Sequence, residues 1–259
     1  MKTVKYITLC VTLVAVVSFY SCADLTPPYG GWLWVVTNEE GYGDRGSIMR
    51  LEPSTGEMIN WYRAPAPWYS NNFGLAYGNG LVWVGWEEKD PYSGEHTGYF
   101  IRWLDPSTGD DGEPVEIEIP PLGLAWVNDE LWAAKGDDFY RINPNTGVIE
   151  ETFTTTTYVY SRGLAWDDSY LWVPDNYNER IYKIDRKSGD VLRGIKAPCD
   201  HMAGLAWDGA ALWVNDEDNR YAYRVSPDDG DVLGSYYYPF DSGQFPYGLA
   251  FEFPDGTGN

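Results

Sequence analysis

The chain has 259 residues and a formal net charge of −21, from 18 Lys and Arg against 39 Asp and Glu. This acidic balance argues against nucleic acid or an anionic lipid surface as a partner, because both require a basic footprint. Thirteen Trp and 21 Tyr require a sizeable core, which excludes a disordered or fibrous chain, and 28 Gly with 17 Pro indicate short strands and tight turns.

Residues 1–22 have the pattern of a secretory signal peptide. Two lysines form a basic start, and residues 6–20 form an apolar run that is too short for a comfortable membrane span. We therefore predict an extracytoplasmic protein, either a lipoprotein of the cell envelope or a secreted protein.

The cysteines leave two interpretations open. Cys22 either becomes the lipid-modified first residue of a bacterial lipoprotein or is removed by cleavage after Ala23, and any membrane attachment is expected only through Cys22. We predict that residues 23–259 form a single domain. Cys199 is then the only cysteine in the folded part, so no internal disulfide can form there.

Three sequence themes recur along the rest of the chain. A Gly-Leu-Ala-aromatic strand begins at Gly74, Gly123, Gly163, Gly204 and Gly248. A Trp between apolar residues occurs at Trp34, Trp83, Trp132, Trp172 and Trp213. A third strand ends in a turn that closes with Gly56, Gly109, Gly147, Gly189 or Gly230. With a variable fourth strand, each unit of about 40 residues reads as four strands, A to D.

The repeat predicts an all-β fold, a five-bladed β-propeller of four-stranded antiparallel blades. Strands A and B are apolar at consecutive positions, which indicates that both of their faces are covered. The chain begins with a B strand at residues 32–36 and finishes with an A strand at residues 248–253, so the two complete one composite blade. This closure would remove open sheet edges, whereas the alternative, an open repeat array, would expose half-blades at both ends.

The unit at residues 204–216, Gly-Leu-Ala-Trp-Asp-Gly-Ala-Ala-Leu-Trp-Val-Asn-Asp, resembles repeats of bacterial extracytoplasmic propellers. These are the NHL/YVTN-like, streptogramin-lyase-like and glutamine-cyclotransferase-like proteins, and the resemblance covers residues 30–256. It implies the fold, because the matching residues are structural.

The glutamine cyclotransferases are similar in two further segments, residues 244–249 and 33–38. The resemblance implies a catalytic Glu at the position that Val35 occupies, and Val cannot transfer the proton that this reaction requires. Glu39 and Glu40 belong to the loop that follows. A streptogramin-type lyase would need a His site supported by a metal, and the chain has two isolated His residues.

The connections from D to A and from B to C share one face of a propeller, and here they are irregular and rich in aromatic residues. The predicted binding residues are Trp68, Tyr69, Phe73, Trp86, His96, Tyr158, Tyr160, Arg162, His201, Phe245 and Tyr247. Aromatic rings stack on sugars and on apolar peptide groups, so the expected partner is a glycan, a peptide or an envelope protein. The alternative is that these aromatic residues plug the channel or pack between blades.

No metal or other cofactor is expected, although the acidic loops 175–179 and 216–218 offer oxygen ligands that could bind Ca²⁺. The alternative is that Asp175 and Asp216 bond to loop amides. His96 and His201 come from different loops without a recognised ligand spacing.

The preferred hypothesis is a non-catalytic binding protein. The first alternative is a propeller enzyme related to the cyclotransferases or lyases, using Glu39, Glu40 or the two His residues. The second alternative is a purely structural module of an envelope assembly.

Overall fold

The computed structural model describes residues 30–39, 46–67, 70–240 and 243–254, together with Gly256 and Gly258. The predicted signal peptide 1–22, including Cys22, lies outside the described residues, as do Glu40 and the candidates Trp68 and Tyr69. No helix in the described part is both long and apolar enough to cross a membrane.

Twenty strands in the described part form five antiparallel sheets, and each sheet is one blade of a ring. Blade 1 comprises, from the axis outward, β20 (Gln244–Glu252), β1 (Trp32–Glu39), β2 (Ser47–Leu51) and β3 (Met58–Arg63). Blade 2 comprises β4 (Ser70–Gly78), β5 (Leu81–Lys89), β6 (His96–Leu104) and β7 (Val115–Ile117).

The other three blades follow the same order. Blade 3 comprises β8 (Gly123–Val127), β9 (Glu130–Lys135), β10 (Asp138–Ile142) and β11 (Ile149–Thr154). Blade 4 comprises β12 (Ala165–Trp166), β13 (Leu171–Asp175), β14 (Arg180–Ile184) and β15 (Val191–Lys196). Blade 5 comprises β16 (Met202–Trp207), β17 (Leu212–Asp216), β18 (Tyr221–Val225) and β19 (Val232–Tyr237).

The predicted five-bladed fold and its closure are confirmed. β1 pairs with β20, and Trp34 lies opposite Ala250 in their antiparallel register. The inner strands are covered on both faces, since every residue of β8 and of β17 is buried. The outer strand β3 is exposed at four of its six residues, as expected for the outer edge of a blade.

The structure extends several inner strands beyond their predicted ends. Phe73 lies within β4, and Phe245 and Tyr247 lie within β20, rather than in the preceding loops. Bulges in the pairing of β4 with β5 and of β20 with β1 allow this, because each adds residues without ending the ladder. In blade 2 the B strand likewise includes Trp86, and the C strand starts at His96.

Glycines allow the inner strands to meet around the axis. A Cβ on Gly204 would lie 2.4 Å from the backbone oxygen of Tyr247 and 2.5 Å from the nitrogen of Leu249. Each first glycine of the Gly-Leu-Ala theme approaches the next blade in this way, and the contacts close the ring: Gly74 meets blade 3, Gly123 meets blade 4, Gly163 meets blade 5, Gly204 meets blade 1 and Gly248 meets blade 2. The sequence theme therefore serves backbone contact between blades rather than an unusual φ.

Leucines fill the axis itself. The second residue of each theme is 1–2% exposed, namely Leu75, Leu124, Leu164, Leu205 and Leu249. Together with the glycines they leave no space for a water molecule. In the described part of the chain, aliphatic residues of the A strands therefore fill the axis, whereas one of the alternatives assigned this role to aromatic loop residues.

A polar cluster, which we name the Trp–carboxylate–cation cluster, recurs in four blades and is buried or partly buried. In blade 5, Asp208 accepts hydrogen bonds from Trp213 Nε1 at 2.9 Å and from Arg224 Nε at 2.6 Å. The corresponding sets are Trp34, Glu252 and Arg50 in blade 1, Trp132, Glu130 and Arg141 in blade 3, and Trp172, Asp167 and Lys183 in blade 4. In these four blades the cluster links the Trp of the B strand to a carboxylate and a cation of neighbouring segments.

Blade 2 departs from this pattern. Gly78 stands where blade 5 has Asp208, and Trp103 lies opposite Trp83 where blade 5 has Arg224. Trp83 instead stacks on Trp126 of the next blade, with ring centroids 5.8 Å apart. Ring stacking replaces the ion pair at this one position.

Candidate functional site

Three connections on the loop-rich face enclose a cleft of about 680 Å³, which we name the tyrosine cleft. Its lining residues are Tyr158, Tyr160, Asn176, Tyr177, Glu179, Asp200 and His201. Three of the predicted binding residues, Tyr158, Tyr160 and His201, therefore come together in one depression. The connections belong to blades 3, 4 and 5, so the ring brings together residues that are distant in the chain.

Asp175 fixes the geometry of the cleft. It is fully buried, and its Oδ1 accepts the backbone N–H groups of Tyr177 and Asn178 at 2.9 and 3.0 Å. Its Oδ2 accepts the N–H of Tyr160 at 3.2 Å, which ties two tyrosine-bearing loops to one carboxylate. This is the loop-amide role that the sequence offered as one of two alternatives.

Asn176 connects the third loop to the other two. Its amide donates to the backbone oxygen of Met202 at 2.9 Å and accepts the N–H of the same residue at 2.9 Å. His201, next to Met202, is thereby held at the edge of the cleft. These hydrogen bonds tie all three loops of the cleft to one another and so restrict their relative movement.

The chemistry inside the cleft is aromatic and acidic. Tyr158, Tyr160 and Tyr177 are 61, 47 and 84% exposed. Glu179 and Asp200 supply carboxylates, and neither side chain has a hydrogen-bond or ion-pair partner within the described part of the chain. The cleft therefore presents exposed aromatic rings and carboxylates to solvent.

His201 is the histidine that lines the cleft. Its Nδ1 contacts Asp218, and this hydrogen bond together with the charge of the carboxylate raises the pKa of His201 above the usual value of 6.5. A group of three or more His, Cys, Asp or Glu suited to a metal ion is absent from the described residues. The calcium alternative stays a prediction.

We expect an NMR titration of the imidazole to place the pKa of His201 above 6.5, since Asp218 stabilises the protonated ring. Asp218→Asn removes the negative charge and should return the pKa to its usual range. A pKa of His201 that is unchanged by Asp218→Asn would contradict the assigned contact.

A second polar group lies above the axis, beside the tyrosine cleft. Arg162 Nη1 lies 3.3 Å from Glu217 Oε2. Burial, followed by the charge of Glu217, raises the pKa of Tyr247 to about 12. Phe245 lies under the guanidinium of Arg220, with the Cζ atom 5.0 Å from the ring centroid. Arg162 and Tyr247 are thus grouped around Glu217, whereas Phe245 contacts Arg220, and none of the three lines the cleft.

The remaining candidates are distributed over blade 2. Trp86 is buried and stacks on Phe100 with centroids 5.6 Å apart, along a smaller groove of about 240 Å³. His96 lies 3.3 Å from a carboxylate oxygen of Glu87 and 4.2 Å from the ring of Tyr99. Phe73 is half-buried. Binding roles for these residues stay predictions, and none of them lines the cleft.

Four residues that line the cleft are not among the predicted binding residues, namely Asn176, Tyr177, Glu179 and Asp200. Tyr177 had a signal that could have identified it, because it lies in the middle of an irregular B-to-C loop on the same face as Tyr160. Asp200 had no comparable signal apart from its neighbour His201. Cys199, which precedes it, is a poor nucleophile, since burial raises the pKa of its thiol.

No protein-family model matches this chain, and no curated protein matches it by sequence. Solved structures do match. A glutaminyl cyclase from Myxococcus xanthus is 11% identical, with a TM-score of 0.53, over 70% of this chain and 91% of that chain. This chain shares its propeller fold.

Two further structures are similar at lower scores. A chain of a nidogen/laminin complex is 12% identical over 86% of this chain and 98% of its own length, with a TM-score of 0.49. A Bacteroides caccae protein of unknown function is 12% identical over 83% of this chain and 76% of its own length, with a TM-score of 0.46. Likeness at such identity concerns the fold alone, since one fold supports many functions.

The position at which the cyclotransferase resemblance implies a catalytic Glu is part of the core. Val35 is fully buried and packs in a cluster with Leu33, Met49 and Phe251. A carboxylate there would lose its hydration without gaining a partner from these apolar neighbours. Of the two nearby acids, Glu40 lies outside the described residues, and only the backbone of Glu39 is described.

Proposed function

We propose that this chain is an extracytoplasmic binding protein, not a catalyst, and that it recognises a glycan or a peptide in the tyrosine cleft. One observation carries the proposal, namely the convergence of three exposed tyrosine rings in a cleft of about 680 Å³. The extracytoplasmic location rests on the signal pattern of residues 1–22.

The energetics support binding at this position. Aromatic side chains contribute large contact areas at a low entropic cost, and a cleft of this volume lies within the range of about 300–1,000 Å³ typical of ligand sites. The loops that carry the tyrosines are anchored by Asp175 and Asn176, so a ligand need not order them on binding.

The enzymatic alternative has one supporting observation, the fold shared with a glutaminyl cyclase. Against it stands the buried Val35, at the position where the resemblance requires a carboxylate. The polar residues of the cleft, Glu179, Asp200 and His201, do not include a nucleophile paired with a base. We therefore favour binding over turnover.

The proposal predicts that the combined variant Tyr158→Ala, Tyr160→Ala and Tyr177→Ala loses about 100-fold in affinity for its ligand. Removing three aromatic contacts at about 1 kcal/mol each forfeits roughly 3 kcal/mol of binding free energy. Glycan and peptide arrays probed with the parent chain would supply the ligand, and titration calorimetry would compare the variants.

Tyr92→Ala is the matched control, because Tyr92 is 97% exposed on the hairpin of blade 2 and does not line the cleft. Its affinity should equal that of the parent. Undiminished binding by the triple variant would place the site elsewhere, and sustained turnover of the bound ligand would refute the non-catalytic assignment.

A further inference from the structure

The Trp–carboxylate–cation clusters show which combination of groups this chain stabilises repeatedly. In blade 4, Lys183 Nζ lies 2.9 Å from Asp167, 4.2 Å from the centroid of Tyr170 and 5.0 Å from that of Trp172. In blade 1, Arg50 is paired with Glu252 and lies 5.6 Å from the Trp34 ring. Aromatic faces and a carboxylate together hold an organic cation.

The tyrosine cleft contains two of these three parts. It presents the aromatic faces of Tyr158, Tyr160 and Tyr177, and it presents the unpaired carboxylates of Glu179 and Asp200. Among the described residues that line it, none is Lys or Arg, and His201 is already bound to Asp218. The cation that would complete the set is therefore left for a ligand to supply.

Three basic residues of the adjoining segments do not fill this role. Arg162 is engaged with Glu217 at 3.3 Å. Arg180 and Lys196 lie opposite each other in the register of strands β14 and β15, and neither lines the cleft. The net charge of −21 further favours an approaching cation over an anion, because the summed field of the protein concentrates opposite charge at its surface.

We propose that the tyrosine cleft binds a peptide segment through a Lys or Arg side chain, whose charged end lies between Glu179 and Asp200 and against the tyrosine rings. This inference rests on the proposed binding function and narrows its ligand to a basic peptide. A neutral glycan would stack on the same rings but would itself offer neither carboxylate an opposite charge.

The test uses pairs of peptides that differ only in charge. Each Arg peptide is matched with its citrulline counterpart and each Lys peptide with its acetyl-lysine counterpart, and binding to the full chain is measured by titration calorimetry. We expect the cationic member of each pair to bind about tenfold or more tightly, with affinity falling as salt is raised. Glu179→Gln combined with Asp200→Asn should abolish this preference.

A charge-matched control separates the local contacts from the general field. Glu95→Gln combined with Asp110→Asn removes the same two charges from blade 2, where both residues are exposed and do not line the cleft, and it should leave the preference intact. Equal affinity for charged and neutral peptides, or no peptide binding at all, would overturn the inference.

A neutral oligosaccharide tested in parallel distinguishes failure of the basic-peptide inference from failure of the proposed binding function. If it binds in a manner that depends on the tyrosines but not on Glu179 or Asp200, the binding function stands and the basic-peptide inference fails. If the tyrosine substitutions change the affinity for neither the peptides nor the oligosaccharide, the proposed function itself fails.

Discussion

Gly204→Ala is expected to lower the free energy of unfolding by about 3 kcal/mol, and the melting temperature by roughly 6–12 °C. The added Cβ would lie 2.4 Å from the backbone oxygen of Tyr247, 2.5 Å from the nitrogen of Leu249 and 2.8 Å from the carbonyl carbon of Gly248. All three atoms belong to the backbone of the next inner strand, so no flexible side chain can yield. Blades 5 and 1 would have to separate at the axis, and urea denaturation followed by tryptophan fluorescence would measure the loss.

Gly234→Ala provides the control for the same substitution. Gly234 lies on the outer strand β19, and a Cβ at this position meets nothing within 4 Å. We expect the stability to change by less than about 1 kcal/mol, with an increase if reduced freedom of the unfolded chain dominates. If Gly204→Ala proves as mild as Gly234→Ala, the close approach of the inner strands is wrong.

Asp208→Ala is expected to cost about 3–5 kcal/mol, the effect of removing one partner from a buried ion pair. Asp208 is fully buried and accepts hydrogen bonds from Trp213 Nε1, from the Arg224 guanidinium and from the N–H groups of Ala210 and Ala211. Without it, the charge of Arg224, which is only 17% exposed, loses its partner. Thermal and urea unfolding of the purified variant would measure the cost.

A double variant tests the origin of this cost. Arg224→Leu added to Asp208→Ala removes the stranded charge, so we expect part of the lost stability to return. Blade 2 indicates that a blade can dispense with the ion pair, since Gly78 and Trp103 occupy the corresponding positions there. Asp231→Ala is the matched exposed control and should be nearly neutral. A double variant no more stable than Asp208→Ala alone would show that the unpaired charge is not the cause.

The blades could be predicted because their signals are local. Each C-to-D turn closes with a glycine at positive φ, as at Gly56 with φ 73°, and the residue before the turn caps it, as Glu52 does through Ser54 and Thr55. Such turns and the Gly-Leu-Ala theme repeat at nearly constant spacing, which gives both the strand order and the number of blades. The lengths of the inner strands were harder to predict from the sequence than the turns. Bulges let Phe73 and Tyr247 continue the pairing of strands that the turn signals alone would end.

The Trp–carboxylate–cation clusters could be predicted from the sequence only in part. In blades 1, 4 and 5 the acid follows the theme glycine by four residues, as Glu252 follows Gly248 and Asp208 follows Gly204, so a pattern was present in the sequence. In blade 3, however, Val127 occupies that position and Glu130 supplies the carboxylate from the start of the next strand. Only the antiparallel register shows that the two arrangements are equivalent.

The sequence by itself determined the architecture, because strand pairing within a blade depends on turns and periodicity between near neighbours in the chain. The tyrosine cleft was decided only by the tertiary structure. Tyr158, Tyr177 and Asp200 lie on three separate connections, and they meet because the ring sets blades 3, 4 and 5 side by side at fixed angles. The same closure left Arg162 and Tyr247 near the axis and Trp86 inside blade 2, although all three shared the composition of the loop-rich face.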